Sequence, residues 1–314
     1  MEKKAVLAGG SGFLGRGLAS RLAAKGWEVV ILSREPERIL VPAPAAGAIR
    51  AVWWNAETAG GWRKELDGAA AVVNLAGRSI HCVHTLENSA EILESRLNAT
   101  QALGRAIAMA KHPPAVWVQG SAAGYYGNAD DEVRDESAPP GRGFLAEVCR
   151  RWEEAANAVE LPGCRRVTLR LGVVLDRQAG ALPVLARLVR NYLGGPAGPG
   201  RQYFSWIHGE DAGRIFQAAI DRDDFAGIYN AAAPEPVRNR DLMAALRREL
   251  GRPWCPAAPA WVVRVAARRW LDTDPALVLQ GQRLAPARLL AAGFEFKHPQ
   301  LAPALADLLR GPMR

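Results

Sequence analysis

Residues 5–15 read Ala5-Val6-Leu7-Ala8-Gly9-Gly10-Ser11-Gly12-Phe13-Leu14-Gly15, an apolar run that breaks into closely spaced glycines. Lys4 to Ala8 has the continuous apolar character of a strand buried on both faces, and Leu14, Leu18 and Leu22 fall on one face of a helix that Gly26 closes. Gly9 lets the backbone turn sharply, Gly12 lets it approach a phosphate, and Gly15 lets the helix pack on the strand. The free N–H groups of the helix N-terminus then face the negative charge of a dinucleotide pyrophosphate. Gly9, Gly12, Phe13, Leu14 and Gly15 are therefore the first candidate binding residues.

A second strand, Trp27 to Leu32, follows at strand–helix–strand distance and ends in Ser33-Arg34. An acidic residue in that place would hold a ribose 2′-hydroxyl, whereas an arginine suits a 2′-phosphate. Ser33 and Arg34 thus favour NADP(H) over NAD(H). Further strands are expected at Val52–Asn55, Ala69–Gly77, Val116–Gly120 and Arg166–Val174, with helices over 86–111 and 144–159 between them. Alternating strands and helices of this kind build a doubly wound parallel α/β sheet, with ligands beyond the carboxyl ends of the strands.

The chain has 314 residues and a net charge of +8, carried by 34 arginines and only six lysines. The basic residues are scattered, without the run that nucleic-acid binding favours, so they are read as attraction for an anionic small molecule. Cys82, Cys149, Cys164 and Cys255 lie far apart, as in a reducing compartment. The first strand starts at Lys4 and no apolar run has membrane-spanning length, so a cytoplasmic protein with neither a nucleic-acid nor a membrane partner is expected. His81, Cys82 and His84 are too crowded to close a ligand set, and no metal is expected. The oligomeric state stays open.

Several segments, in order, resemble the extended short-chain dehydrogenases/reductases: Gly9–Gly15, Asn74-Leu75-Ala76-Gly77, Ser121–Gly127, Arg170–Leu175 and Ser205–Asp211. Glu94–Thr100, Phe144–Glu153, Leu193–Pro196 and the tail from about Arg252 to Pro299 narrow the resemblance to the epimerase-like branch of type 39U. The resemblance implies a Rossmann-type NADP-binding domain over residues 1–175, rejoined by 203–230. Residues 176–202 and 231–314 would form a smaller C-terminal substrate lobe. It also implies cofactor contacts at Leu75, Ala76, Gly77, Glu91, Arg96 and Val174.

In that family a tyrosine transfers the proton, a lysine four residues later lowers its pKa from about 10, and a serine or threonine positions the substrate oxygen. This chain has no Tyr-x-x-x-Lys, and no lysine at all between Lys111 and Lys297. The expected tyrosine falls on Phe144 or Leu145, and the lysine on Val148 or Cys149. Counting back from Tyr125 puts Ser121 in the serine's place, whereas counting from Tyr126 puts Ala122 there. Ser121, Tyr125 and Tyr126 are the candidates for the missing chemistry, with Glu147 and Cys149 in reserve.

Arg96 stands where extended members carry an asparagine and could hold a phosphate or a substrate anion. Glu91 either binds the cofactor ribose or pairs with Arg96. Arg201, Trp206 and His208 are candidates to face the substrate, His208 otherwise being a packed, hydrogen-bonded histidine. Two functions follow: an NADP-dependent reductase or epimerase acting on a small molecule, or a non-catalytic NADP(H)-binding sensor or scaffold.

Overall fold

In the computed structural model, which describes residues 3–39 and 49–310, seven strands form one parallel sheet. The remaining residues of the expected units, 1–2, 40–48 and 311–314, lie outside the described residues. The chain runs β1 (Lys4–Ala8), α1 (Phe13–Ala23), β2 (Glu28–Ser33), β3 (Ile49–Trp53), β4 (Ala71–Asn74), α2 (Leu86–Ala108) and β5 (Val116–Ala122). A short β6 (Val133–Arg134), α3 (Phe144–Asn157), β7 (Arg165–Leu171) and β8 (Val173–Leu175) follow. Then come α4 (Ala181–Arg190), β9 (Tyr203–Phe204), β10 (Trp206–His208), α5 (Gly209–Asp221) and β11 (Gly227–Ala231).

The order across the main sheet is β11-β7-β5-β4-β1-β2-β3. After β3 the chain crosses back to β4 on the other side of β1, so the order switches between β1 and β4 and opens a crevice at their carboxyl ends. Their register pairs Ala8 with Asn74, which brings Gly9 beside Leu75. Leu18 and Leu22 of α1 are fully buried against the sheet and the facing helix α5, as the spacing predicted. Each such side chain contributes about 1.5–3 kcal/mol by leaving water.

The expected sixth strand is two strands. A Cβ at Gly172 would lie 2.8 Å from the carbonyl oxygen of Ser205, so the chain leaves the sheet there under close contact with another backbone. β8 then pairs with β10 instead.

The rest of the chain is β12 (Val237–Arg238), α6 (Asn239–Glu249), α7 (Ala260–Arg269), α8 (Ala276–Leu279), β13 (Arg283–Leu284), α9 (Ala287–Ala291) and α10 (Leu301–Arg310). Leu182 and Val189 of α4, Leu242 and Leu246 of α6, and Leu301 and Leu305 of α10 close around Trp206 as a second apolar core. Among the described residues no helix is long and apolar enough to cross a membrane.

Candidate functional site

The crevice between β1 and β4 is shaped by glycines that have steric reasons to be glycines. Gly9 has φ +75°, and a Cβ there would stand 2.6 Å from the Leu75 carbonyl carbon. A Cβ on Gly15 would stand 2.5 Å from Gly10 Cα, so the helix sits directly on the turn. Gly12 begins α1 without a side-chain cap, and the space around it is open, with only Gly9 O at 3.4 Å from an added Cβ. The first turn of α1 thus starts without a side-chain cap, and at Gly12 the space beside it is open. That is the cradle a pyrophosphate requires.

Asn74 fixes the facing loop. Its Nδ2 donates to Thr100 Oγ1 and Gln119 Oε1, both at 3.0 Å, while its Oδ1 accepts from the N–H of Ala76 at 3.1 Å. Leu75 is half-buried, Ala76 buried and Gly77 exposed along this loop. At the end of β2, Ser33 Oγ accepts from the N–H of Glu35 at 3.1 Å. Arg34 is exposed and makes no hydrogen bond or ion pair among the described residues. Val174 is buried on β8.

Arg96 lies across the β4–α2 loop, and Gly77 is what lets it do so, since a Cβ there would meet its Cζ at 3.0 Å. Its Nη1 donates to the carbonyls of Arg78 (3.0 Å) and Ile92 (2.8 Å), and its guanidinium rests 5.1 Å from the Trp152 ring centroid. Burial pulls its pKa below the ordinary guanidinium value, and among the described residues no carboxylate neutralises it. Glu91 does not pair with Arg96: it is exposed and forms an ion pair with Arg78.

Beyond β5 the chain forms a 3-10 turn, Ala123–Tyr126, against which α3 packs. Leu145 Cβ and Cys149 Sγ come within 3.4 and 3.5 Å of a Cβ placed on Gly124, so these two residues face the turn from the dyad helix. Neither can transfer a proton at neutral pH, because burial pushes the Cys149 thiol up to about 12. Glu147 is held by Arg150 on the outer face of that helix.

Ser121 and Tyr126 are tied into a network that sequence reasoning did not anticipate. Register places Ser121 beside Arg170, and Arg170 beside Asn230, across β5, β7 and β11. Arg170 donates to Glu153 of α3 through Nε (2.9 Å) and Nη2 (2.8 Å), with side chains only 2% and 6% exposed. Ser121 Oγ donates to the same carboxylate at 2.6 Å. Arg170 Nη1 donates to the Tyr126 hydroxyl at 2.8 Å, and that hydroxyl donates to Asn230 Oδ1 at 2.7 Å. Asn230 is oriented by donating to the carbonyls of Arg134 and Ala285. The phenol proton of Tyr126 is thereby committed, and burial raises its pKa above the ordinary value.

Tyr125 differs from its neighbour. It is half-buried, its ring centroid lies 3.4 Å from the Arg170 guanidinium carbon, and its hydroxyl makes no hydrogen bond among the described residues.

The remaining predicted residues scatter. Trp206, expected to face a substrate, is a core residue: it is fully buried and its indole N–H donates to the carbonyl of Glu235 at 3.0 Å. Arg201 is exposed. His208 caps α5, its Nδ1 accepting from the N–H of Glu210 at 3.0 Å, while Nε2 meets Asp307 Oδ2 at 3.3 Å. His81 meets Thr273 Oγ1 and His84 the carbonyl of Ile80, each at 3.1 Å, so they are separately engaged. One other cluster, His208, His298 and Asp307, gathers donor atoms within 4.8 Å. Its two imidazoles are stacked at 3.8 Å and 16°, so their in-plane lone pairs run side by side and do not converge on one ion.

The tail is tied to the loop after β4, to the segment after β5 and to Ser205. The N–H of Asp274 donates to the carbonyl of Cys82 (3.0 Å), the N–H of Ala129 to Gly281 (3.0 Å), and Ser205 Oγ to Gln282 (2.7 Å).

Comparison with known proteins gives the family. Residues 5–232 match the NAD dependent epimerase/dehydratase family, and residues 258–308 match a domain of unknown function. The chain is 36% identical over 313 residues to the bovine epimerase family protein SDR39U1, covering 98% of this chain and 99% of that protein. It is similar to the crystal structure of human SDR39U1 (isoform 2) with NADPH, with a TM-score of 0.84, 32% identity, and coverage of 97% of this chain and 98% of that one. A nucleoside-diphosphate sugar epimerase from Corynebacterium glutamicum matches with a TM-score of 0.77 at 31% identity, covering 98% of this chain and 58% of that one.

Proposed function

Because the chain belongs to the NAD dependent epimerase/dehydratase family, we propose that it binds NADP(H) in the β1–β4 crevice and acts on a small carbonyl- or hydroxyl-bearing molecule. The observation that carries the reading is the uncapped, glycine-lined start of α1. Gly9, Gly12, Phe13, Leu14 and Gly15 would hold the pyrophosphate, Ser33 and Arg34 the 2′-phosphate, and Leu75, Ala76, Gly77 and Val174 the nicotinamide half. The nicotinamide, when bound, supplies or accepts hydride. All four thiols are unpaired, as a reducing cytoplasm leaves them.

Tyr125 is the residue we assign to proton transfer. Its hydroxyl makes no hydrogen bond among the described residues, and the Arg170 guanidinium stacked on its ring holds it in place. Ser121 and Tyr126, whose polar atoms are occupied by Glu153, Arg170 and Asn230, then act as positioning residues beneath it. Arg96, a cation without a carboxylate, would neutralise an anionic group of the cofactor or substrate.

The second reading is an NADP(H)-binding sensor without turnover, favoured by Leu145 and Cys149 standing where proton-transfer groups would face the turn. Calorimetric titration with NADPH, NADP⁺, NADH and NAD⁺, followed by a carbonyl screen on the preferred reduced form, separates the two. Loss of a charge-assisted phosphate contact, about 1.5–3 kcal/mol, means that Arg34→Asp weakens NADPH by roughly 10–100-fold while leaving NADH nearly unchanged. Equal losses for both nucleotides remove Arg34 from the 2′-phosphate. Turnover abolished in Tyr125→Phe with NADPH affinity intact supports the enzyme. Redox-selective binding with no turnover of any carbonyl supports the sensor.

A further inference from the structure

On the α5 side of α1 lies a second cleft of about 440 Å³, bounded by α1, α5, the turn after β8 and α10. Its volume falls within the range of small-molecule sites, roughly 300–1,000 Å³. It shares Phe13 and Leu14 with the cofactor turn, but no lining residue comes from the end of β2 or the loop after β4.

Gly17 is the first sign of an occupant. It sits inside α1, where glycine costs about 0.5–1 kcal/mol relative to alanine. Gly9, Gly10 and Gly15 each have a neighbour that excludes a side chain, whereas a Cβ on Gly17 would meet nothing within 4 Å. Packing within the protein gives no reason for it, and a ligand lying against the helix does.

Charge is the second sign. Arg21 reaches across to α5, its Nε 3.2 Å from the position of a Cβ on Gly213, and it makes no hydrogen bond or ion pair among the described residues. Of the three carboxylates in the lining, Glu210 is paired with Lys297 at 2.8 Å, while Asp307, 3.3 Å from His208, and Asp176, which accepts the N–H groups of Gln178 and Ala179, keep their charge and are balanced by Arg177 and Arg21. Arg177 Nη2 donates to the carbonyl of Asp307 at 2.7 Å and so pins the turn to α10, which makes that wall preformed. Phe13 and Leu14 leave apolar surface half-exposed in the cleft.

We infer that this cleft binds a small organic anion, its carboxylate or phosphate on Arg21 and its apolar body over Phe13 and Leu14. The test is fluorine NMR titration of the full chain, saturated with NADPH, using 4-fluorobenzoate and 4-fluorophenyl phosphate. Saturable binding is expected for at least one probe, and the tighter one identifies the anionic group. Arg21→Gln should weaken it at least tenfold and Gly17→Leu should abolish it. Gly17→Ala, which adds helix propensity in open space, should raise the melting temperature, and thermal melts confirm that the other two variants fold. Absence of saturable binding by both probes, or binding unchanged in Gly17→Leu and Arg21→Gln, overturns the inference.

Discussion

Removing the cation from the Glu153–Arg170 pair tests whether the site floor is held as described. In Arg170→Met, Glu153 loses two charge-assisted hydrogen bonds, at 2.9 and 2.8 Å, and keeps only that of Ser121, in a position 6% exposed. Breaking one side of a buried pair costs about 3–5 kcal/mol, because the surviving charge stays desolvated and uncompensated. Against a typical stability of about 5–15 kcal/mol that is a large share. Glu153→Leu strands Arg170 in the same way, leaving it the Tyr126 oxygen as its one hydrogen-bond partner and the Tyr125 ring against its guanidinium, with no opposite charge among the described residues. The double variant strands neither charge, since apolar residues of similar volume often replace a buried pair at little cost. What remains lost is the partner of Ser121 and one contact of Tyr126, about 1 kcal/mol each. The double-mutant cycle should therefore show a coupling of about 4–8 kcal/mol, the two single costs together less the small cost of the double variant. Urea unfolding followed by both tryptophan fluorescence and circular dichroism supplies the numbers, with coincident transitions required before two free energies are compared. Additivity to within about 0.5 kcal/mol, or a cost below about 1 kcal/mol for Arg170→Met, would refute the argument.

Two further outcomes follow from groups displaced from their ordinary pKa. The Cys149 thiol, pushed up to about 12, should be alkylated by iodoacetamide at about pH 8 far more slowly than half-buried Cys82 and Cys255; peptide mass spectrometry reads the order, and labelling of Cys149 alongside them contradicts the burial. His208 is held below about 6.5 by burial and by the stacked His298, against the opposite pull of Asp307 and Asp211. The unfolded chain therefore takes up the proton first. Stability from this group is complete above about 6.5 and is lost as pH falls toward the folded value, at no more than about 1.4 kcal/mol per pH unit. His208→Asn keeps a capping acceptor for α5, so its urea midpoint should change less than the parent's between about pH 7.5 and about pH 5.5. Parallel pH slopes in the two proteins would remove His208 from the effect.

What the sequence made legible is what local chemistry dictates. The glycine turn could be read because its spacing belongs to one strand–turn–helix unit, although Gly9 answers Leu75 of the facing loop and only Gly15 answers its own turn, and α2 could be read from a local span that starts at Leu86. The floor network was hidden because its members come from β5, α3, β7 and β11 and meet only through the strand order of the sheet. One signal was available: Ser121, Arg170 and Asn230 are each polar residues within otherwise buried strands, and such groups require partners. Trp206 misled for a related reason. A flat apolar ring together with the Arg201 cation suggests a ligand wall, but β10 is covered on both faces, by the sheet's core and by the core of α4, α6 and α10. The same network explains how α3 can do without a tyrosine–lysine dyad and still be positioned. Glu153 clamps the helix to Arg170 and Ser121 on two strands. Among the described residues, Tyr125 keeps an unengaged hydroxyl beside this network and Arg96 an unneutralised charge, and those two are where the proposed chemistry is to be sought.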